Sequence, residues 1–116
     1  MASAEKKSFA APEELRTPPR TEVAIVKFGD RTVQQITYQP GWRWSVDIKP
    51  GAGTDSCQVN HFGYVVSGRS HLIMNDGSEL DVGPGDVVVI PAGHDAWVVG
   101  DDPFVYVDFG GSVRPA

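Results

Sequence analysis

Gly83-Pro84-Gly85-Asp86-Val87-Val88-Val89-Ile90-Pro91-Ala92-Gly93-His94-Asp95-Ala96-Trp97 decides the architecture of this chain. A tight turn opens the stretch, four β-branched residues follow without a polar break, and a second turn closes it. Such a run predicts a strand buried on both faces and held between two reversals. The same texture recurs on both sides. Val23–Phe28, Thr32–Tyr38, Phe62–Ser67, Ser70–Met74, Ser78–Val82, Ala96–Val99 and Phe104–Phe109 are short apolar or alternating runs. Gly29-Asp30, Pro40-Gly41, Gly68, Asn75-Asp76-Gly77 and Gly100–Pro103 separate them. Trp42–Ile48 alternates so strictly that Trp42, Trp44, Val46 and Ile48 are expected on one face of a further strand, with Lys49–Gly53 as loop. The total comes to about nine to eleven strands, an all-β sandwich or closed barrel without internal repeat.

Composition agrees. The 116 residues suffice for one core, and 13 glycines with 9 prolines, scattered between apolar runs, imply many turns. A net charge of -5 repels polyanions, which argues against nucleic acid as partner. No apolar run has the length to span a bilayer, so no membrane partner is expected. Cys57 is the single cysteine, which excludes an internal disulfide. A lone thiol without an apolar leader segment fits the reducing cytoplasm. Residues 1–20, with Pro12, Pro18 and Pro19, read as a partly disordered arm in which Pro12–Arg16 can form one helical turn, or which lies across a partner subunit. Residues 21–116 form the barrel domain.

Gly85, Pro91 and Gly93 fall on the second motif of the cupin superfamily (Gly, five residues, Pro, one residue, Gly, two residues, His), which the chain resembles from about Phe28 to Phe109. The family's metal-binding His of that motif is replaced by Ala96. The resemblance implies a double-stranded β-helix, or jelly-roll barrel, around a cavity. It also places the first motif, Gly, five residues, His-x-His, three or four residues, Glu, six residues, Gly. Anchored on Gly68, this motif puts His61 at the Glu position, which some cupins fill with His, Cys57 at the second His and Asp55 at the first. Anchored on Gly51, it puts Cys57 at the first His and Val59 at the second. Tyr64-Val65-Val66-Ser67-Gly68 is the more distinctive ending and favours the Gly68 register.

The residues support that register physically. In a strand Asp55 and Cys57 point to one side, and a reversal at Gln58-Val59-Asn60 brings His61 beside them. Without it, residues four apart lie roughly 13 Å from each other, too far to share an ion. His94 shares the strand parity of Ala96. Carboxylate, thiolate and imidazole suit one divalent transition metal, so Cys57, His61, His94 and Asp55 are the candidate ligands. The bland alternative is a buried Cys, a hydrogen-bonded His and an Asp in the Thr54-Asp55-Ser56 turn. Trp42, Trp44, Tyr64 and Trp97 are candidates for an aromatic ligand-binding wall, or else core and dimer contacts. His71 has outward parity and is a poor ligand. Cys57 and His61 can also be drawn as nucleophile and base, but nothing nearby in sequence orients them.

Two main functions follow, and a third ranks below them. One is a small stand-alone barrel that binds a small polar or anionic molecule, helped by Arg43 or Lys49, around an altered metal site. The other is a metal-dependent oxygenase or isomerase with a Cys57/His61/His94 centre. A third is a module that pairs through its sheet and arm. The family resemblance implies a homodimer in each case.

Overall fold

The structure is a computed structural model that describes residues 3–109. Its strands are β1 (Glu14–Arg16), β2 (Thr21–Phe28), β3 (Arg31–Tyr38), β4 (His61–Ser67), β5 (Arg69–Met74), β6 (Glu79–Val82), β7 (Val87–Ile90), β8 (His94–Val99) and β9 (Phe104–Asp108). Between β3 and β4 lie two helical turns, α1 (Trp44–Asp47) and α2 (Lys49–Ala52). A six-stranded sheet ordered β1-β2-β3-β9-β4-β7 faces a three-stranded sheet ordered β6-β5-β8, and all pairings are antiparallel. The all-β jelly-roll expectation therefore holds.

Alternation along each strand builds the core. Ile36 on β3, Val65 on β4, Leu72 on β5, Val82 on β6, Val88 and Ile90 on β7, Val98 on β8 and Phe104 and Tyr106 on β9 are buried together. Burying side chains of this size stabilises by roughly 1.5–3 kcal/mol each. The chain changes sheet between β4 and β5 in a single residue, Gly68, at φ 77. A Cβ there would sit 2.2 Å from the Pro103 carbonyl oxygen, so the corner requires glycine for both conformation and space.

Local expectations are corrected in three parts of the chain. Trp42–Ile48 is not a strand beyond its first residues. The Val98 amide donates to Trp42 O and Arg43 bridges Trp97, then the chain coils into α1. The Asp47 carboxylate accepts from the Arg43 amide while the Asp47 amide donates back to Arg43 O. This local closure turns an alternating pattern into an i, i+4 one. Trp44 and Ile48 face the interior, and Val46 is exposed. Lys49–Ala52, expected as loop, is the second helical turn, with Pro50 in its first turn, where a missing N–H costs nothing.

Pro12–Arg16 is not a helical turn. Glu14–Arg16 form edge strand β1 on β2, and the Glu13 amide donates to Ile25 O. A single isolated turn gains few hydrogen bonds for the entropy it costs, whereas the β2 edge offers a ready row of partners.

The third correction concerns β7. It is an edge strand with one buried face; Val87 and Val89 are 67 % and 52 % exposed. Among the described residues no helix is long and apolar enough to cross a membrane.

Candidate metal centre and its cavity

The two sheets enclose a cavity of about 200 Å³. Its walls are mostly aliphatic and aromatic, and Cys57, His61 and His94 meet on them. Each arrives by a different route. His61 opens β4 on the inward face, two residues before Gly63. His94 opens β8 and is 3 % exposed. Cys57 belongs to no strand but pairs with His94 as an antiparallel bridge. Its amide donates to His94 O at 2.7 Å, and its carbonyl accepts the Gly93 amide at 2.7 Å. That backbone pairing, followed by the reversal at residues 58–60, brings thiol and imidazoles together. Ligand atoms of the three residues all lie within 4.8 Å of one another, close enough to hold one metal ion.

Both rings are oriented from behind. His61 Nδ1 is 2.6 Å from Asp108 Oδ2, and His94 Nδ1 is 2.8 Å from Pro91 O. With each Nδ1 engaged by an oxygen, Nε2 is the nitrogen left for a ligand, as metal-binding imidazoles require. The electrostatics reinforce this. Burial opposes the charge on His61, but its hydrogen bonds to Asp108 and Cys57 outweigh that and raise its pKa to about 9. Burial likewise pushes the Cys57 thiol up, while hydrogen bonds from His61 and His94 pull it down to about 6. Both shifts favour the thiolate and imidazolium form of the pair, and the proton between them is the one a metal would displace. A soft thiolate with two imidazoles is a donor set for first-row transition ions.

Asp55 stays out of the cluster. Its carboxylate is fully exposed and 3.8 Å from Lys49 Nζ. Thr54 Oγ1 donates to Ser56 O, so the segment bends and Asp55 and Cys57 never share a strand face. Val59, the alternative ligand position, is 54 % exposed, which leaves the Gly68 register as the physical one. Of the four expected wall aromatics, Trp42 and Trp44 line the cavity. Tyr64 lies on the outer face of the large sheet, opposite Val87. Trp97 lies outside the small sheet between the Arg43 guanidinium, 4.4 Å from its ring, and His71, at 4.8 Å. Their places on the wall are taken by Tyr38, Phe104 and Tyr106. Arg43 and Lys49 do not reach the cavity; they pair with Asp95 and Asp55. His71 faces outward as expected, with Asp81 and Glu79 on its two nitrogens.

Asp108 was missed. It gives the Cys57–His61 pair the orienting group that its sequence neighbourhood lacks. Its signal was present in Phe104-Val105-Tyr106-Val107-Asp108, where alternation puts a carboxylate on the face of Phe104 and Tyr106.

A family model described as the cupin domain matches residues 44–110. The chain belongs to the cupin family. A protein of unknown function from Rhizobium leguminosarum bv. viciae 3841 superimposes with a TM-score of 0.64 at 22 % identity, covering 94 % of this chain and 99 % of that one. KdgF from Halomonas sp. gives 0.59 at 20 % identity, with 83 % of each chain covered. The S161A mutant of Bacillus subtilis oxalate decarboxylase OxdC gives 0.58 at 17 % identity over 90 % of this chain but 29 % of the enzyme. At these identities the likeness is one of fold. No curated protein sequence matches the chain.

Proposed function

We propose that this cupin holds one first-row transition metal on Cys57, His61 and His94 and binds a small organic molecule against it. The observation that carries the reading is the donor set itself, a buried thiol and two imidazoles within 4.8 Å, each imidazole oriented from behind through Nδ1. Three protein donors on the wall of a cavity leave coordination positions open to a ligand, the arrangement of reactive rather than structural sites. A bound metal would supply Lewis acidity, or redox capacity, toward an oxygen of the ligand. The chain's own groups do the rest. Asp108 fixes the His61 ring, Pro91 O fixes His94, and the apolar wall excludes water around the bound molecule. The reaction class this supports is metal-assisted oxygenation or isomerisation.

The test is metal content. Protein purified without chelator should carry about one transition ion per chain, and Cys57→Ala, His61→Ala and His94→Ala should each lose it. A wild-type chain that stays metal-free after exposure to iron(II), nickel(II), copper(II) and zinc(II) would end this reading.

Cys57, His61 and Asp108 also stand in the order nucleophile, base and orienter. This favours a second, metal-free reading as a thiol-dependent enzyme, which the 6 % exposure of Cys57 opposes. Rapid iodoacetamide labelling of the wild type near pH 7, slowed in His61→Ala, would support it.

Self-association belongs to the same proposal. Phe62, Tyr64, Val87 and Val89 are cross-strand neighbours on the outer face of β4 and β7, and the last three are 40 % exposed or more. An apolar sheet face of this kind suits a second copy of the chain.

A further inference from the structure

Two buried polar atoms find no hydrogen-bond partner among the described residues, Trp42 Nε1 and the Tyr106 hydroxyl. Both side chains are about nineteen-twentieths buried, at 5 % and 4 % exposure, and both line the cavity. Leaving such groups unpaired is costly, and native interiors rarely do so twice in one place. We infer that Trp42 Nε1–H and Tyr106 O–H are the ligand's hydrogen-bond donors, and that the ligand is a small, mostly apolar, uncharged carbonyl compound.

Each part of that description comes from the cavity. An indole N–H only donates, so its partner must be an acceptor. Tyr106 is held in its neutral, donating form, because burial and the Asp108 carboxylate both push its ionisation up. Ser70, a further hydroxyl on the wall, already donates to Trp97 O and is not available. Among the described residues no lysine or arginine lines the cavity, and the His61 ring is already engaged by Asp108 and Cys57, so the walls offer an anionic ligand no uncommitted cation. The volume of about 200 Å³ exceeds the roughly 150 Å³ in which an apolar protein cavity takes up benzene, which limits the guest to about one ring.

The donors are also placed to read a ligand beside the metal site. Trp42, Tyr38, Phe104, Tyr106, His61 and His94 form an aromatic arc with successive ring centroids 4.1, 6.0, 6.2, 6.1 and 5.3 Å apart. Tyr106 adjoins the His61 ring, and Trp42 ends the run of ring contacts. Gly63 makes the first placement feasible. A Cβ there would lie 2.6 Å from the Tyr106 oxygen, so the hydroxyl occupies the space a side chain would fill.

The inference rests on the cavity being the ligand site, as proposed above, but not on the metal. It is tested with the full chain before and after chelator treatment. The probes are acetophenone and α-methylstyrene, equal in shape but differing in an oxygen acceptor. Calorimetry should show acetophenone binding about 3- to 10-fold more tightly. Its addition should shift the Trp42 indole ¹H–¹⁵N resonance, assigned with Trp42→Phe, or the preference should vanish in Tyr106→Phe. Tyr106→Phe should keep or raise the melting temperature of the free protein, since it deletes an unpaired buried hydroxyl; a hydroxyl already hydrogen-bonded within the fold would make the substitution lower it. Equal affinity for the two probes overturns the inference and leaves the cavity reading standing. Binding of neither probe overturns both, and metal content then judges the metal reading separately.

Discussion

Asp108→Asn separates the charge of the carboxylate behind His61 from its shape. The asparagine oxygen can still accept the ring's Nδ1–H, so the geometry survives while the ionic part is lost. That part is large because the pair is buried, with side-chain exposures of 16 % for His61 and 7 % for Asp108. His61 is raised from 6.5 to about 9. A shift of that size corresponds to about 3 kcal/mol of preference for the folded imidazolium. Asp108 and Cys57 share this, Asp108 being the stronger contributor, so the substitution should cost about 2 kcal/mol.

A domain of this length melts about 4 °C lower per kcal/mol, which predicts a drop of about 8 °C. The pH dependence gives the sharper check. A pKa raised on folding contributes stability that is fully present below the unfolded value, near 6.5, and is lost as pH rises through about 9. Thermal melts of chelator-treated wild type and Asp108→Asn should therefore differ most at about pH 6 and least at about pH 10. A gap that is constant, or that widens with pH, would refute the assignment of an imidazolium to His61.

Three further outcomes follow from particular contacts. Gly63→Ala drives a Cβ to 2.0 Å from Val107 O on the neighbouring strand, where only backbone movement relieves it; urea melts should show a loss of about 3 kcal/mol or failure to fold. Arg20→Ala leaves the Asp47 carboxylate, whose side chain is 3 % exposed, without its guanidinium partner at 2.8 Å; a loss of about 1–2 kcal/mol is expected, rescued in part by Asp47→Asn. Val87→Lys with Val89→Lys places charge on the exposed side of β7, so light scattering should report a smaller assembly while the melting temperature at low concentration moves by about 2 °C or less.

Much of this was legible in the residues because the information was local. Turn dipeptides such as Asn75-Asp76-Gly77 and Gly83–Asp86 fix where strands end, and alternation fixes which side chains go in, so β2 to β9 emerge near their observed limits. Cys57 and His61 were legible because motif spacing placed them, and His94 because it shares the strand parity of Ala96; the three lie close enough to hold one ion. What escaped was decided by partners distant in sequence or by competing local hydrogen bonds. Trp42–Ile48 alternates like a strand, yet Asp47 closes a helical turn on Arg43. Asp55 came from the same motif register, supported by its parity with Cys57, a rule valid only within a strand, and the Thr54–Ser56 bend breaks it. Val87 and Val89 are apolar without being covered by their own chain, so composition alone could not show that β7 lies at an edge. Asp108 meets His61 from the adjacent strand β9, 47 residues away in sequence, a contact that no local window contains.

The position of β9 has one more consequence. The last of the described strands is not at a margin; it is inserted between β3 and β4, where it joins the two halves of the large sheet. A nascent chain that has emerged only as far as β8 possesses the thiol and both imidazoles but neither the seam between β3 and β4 nor the carboxylate behind His61. Closure of the sheet and completion of the Cys57–His61–Asp108 cluster thus become a single event that waits for β9. Until then the half-built protein exposes two open strand edges, a state in which rapid completion, or a chaperone, protects it from aggregation.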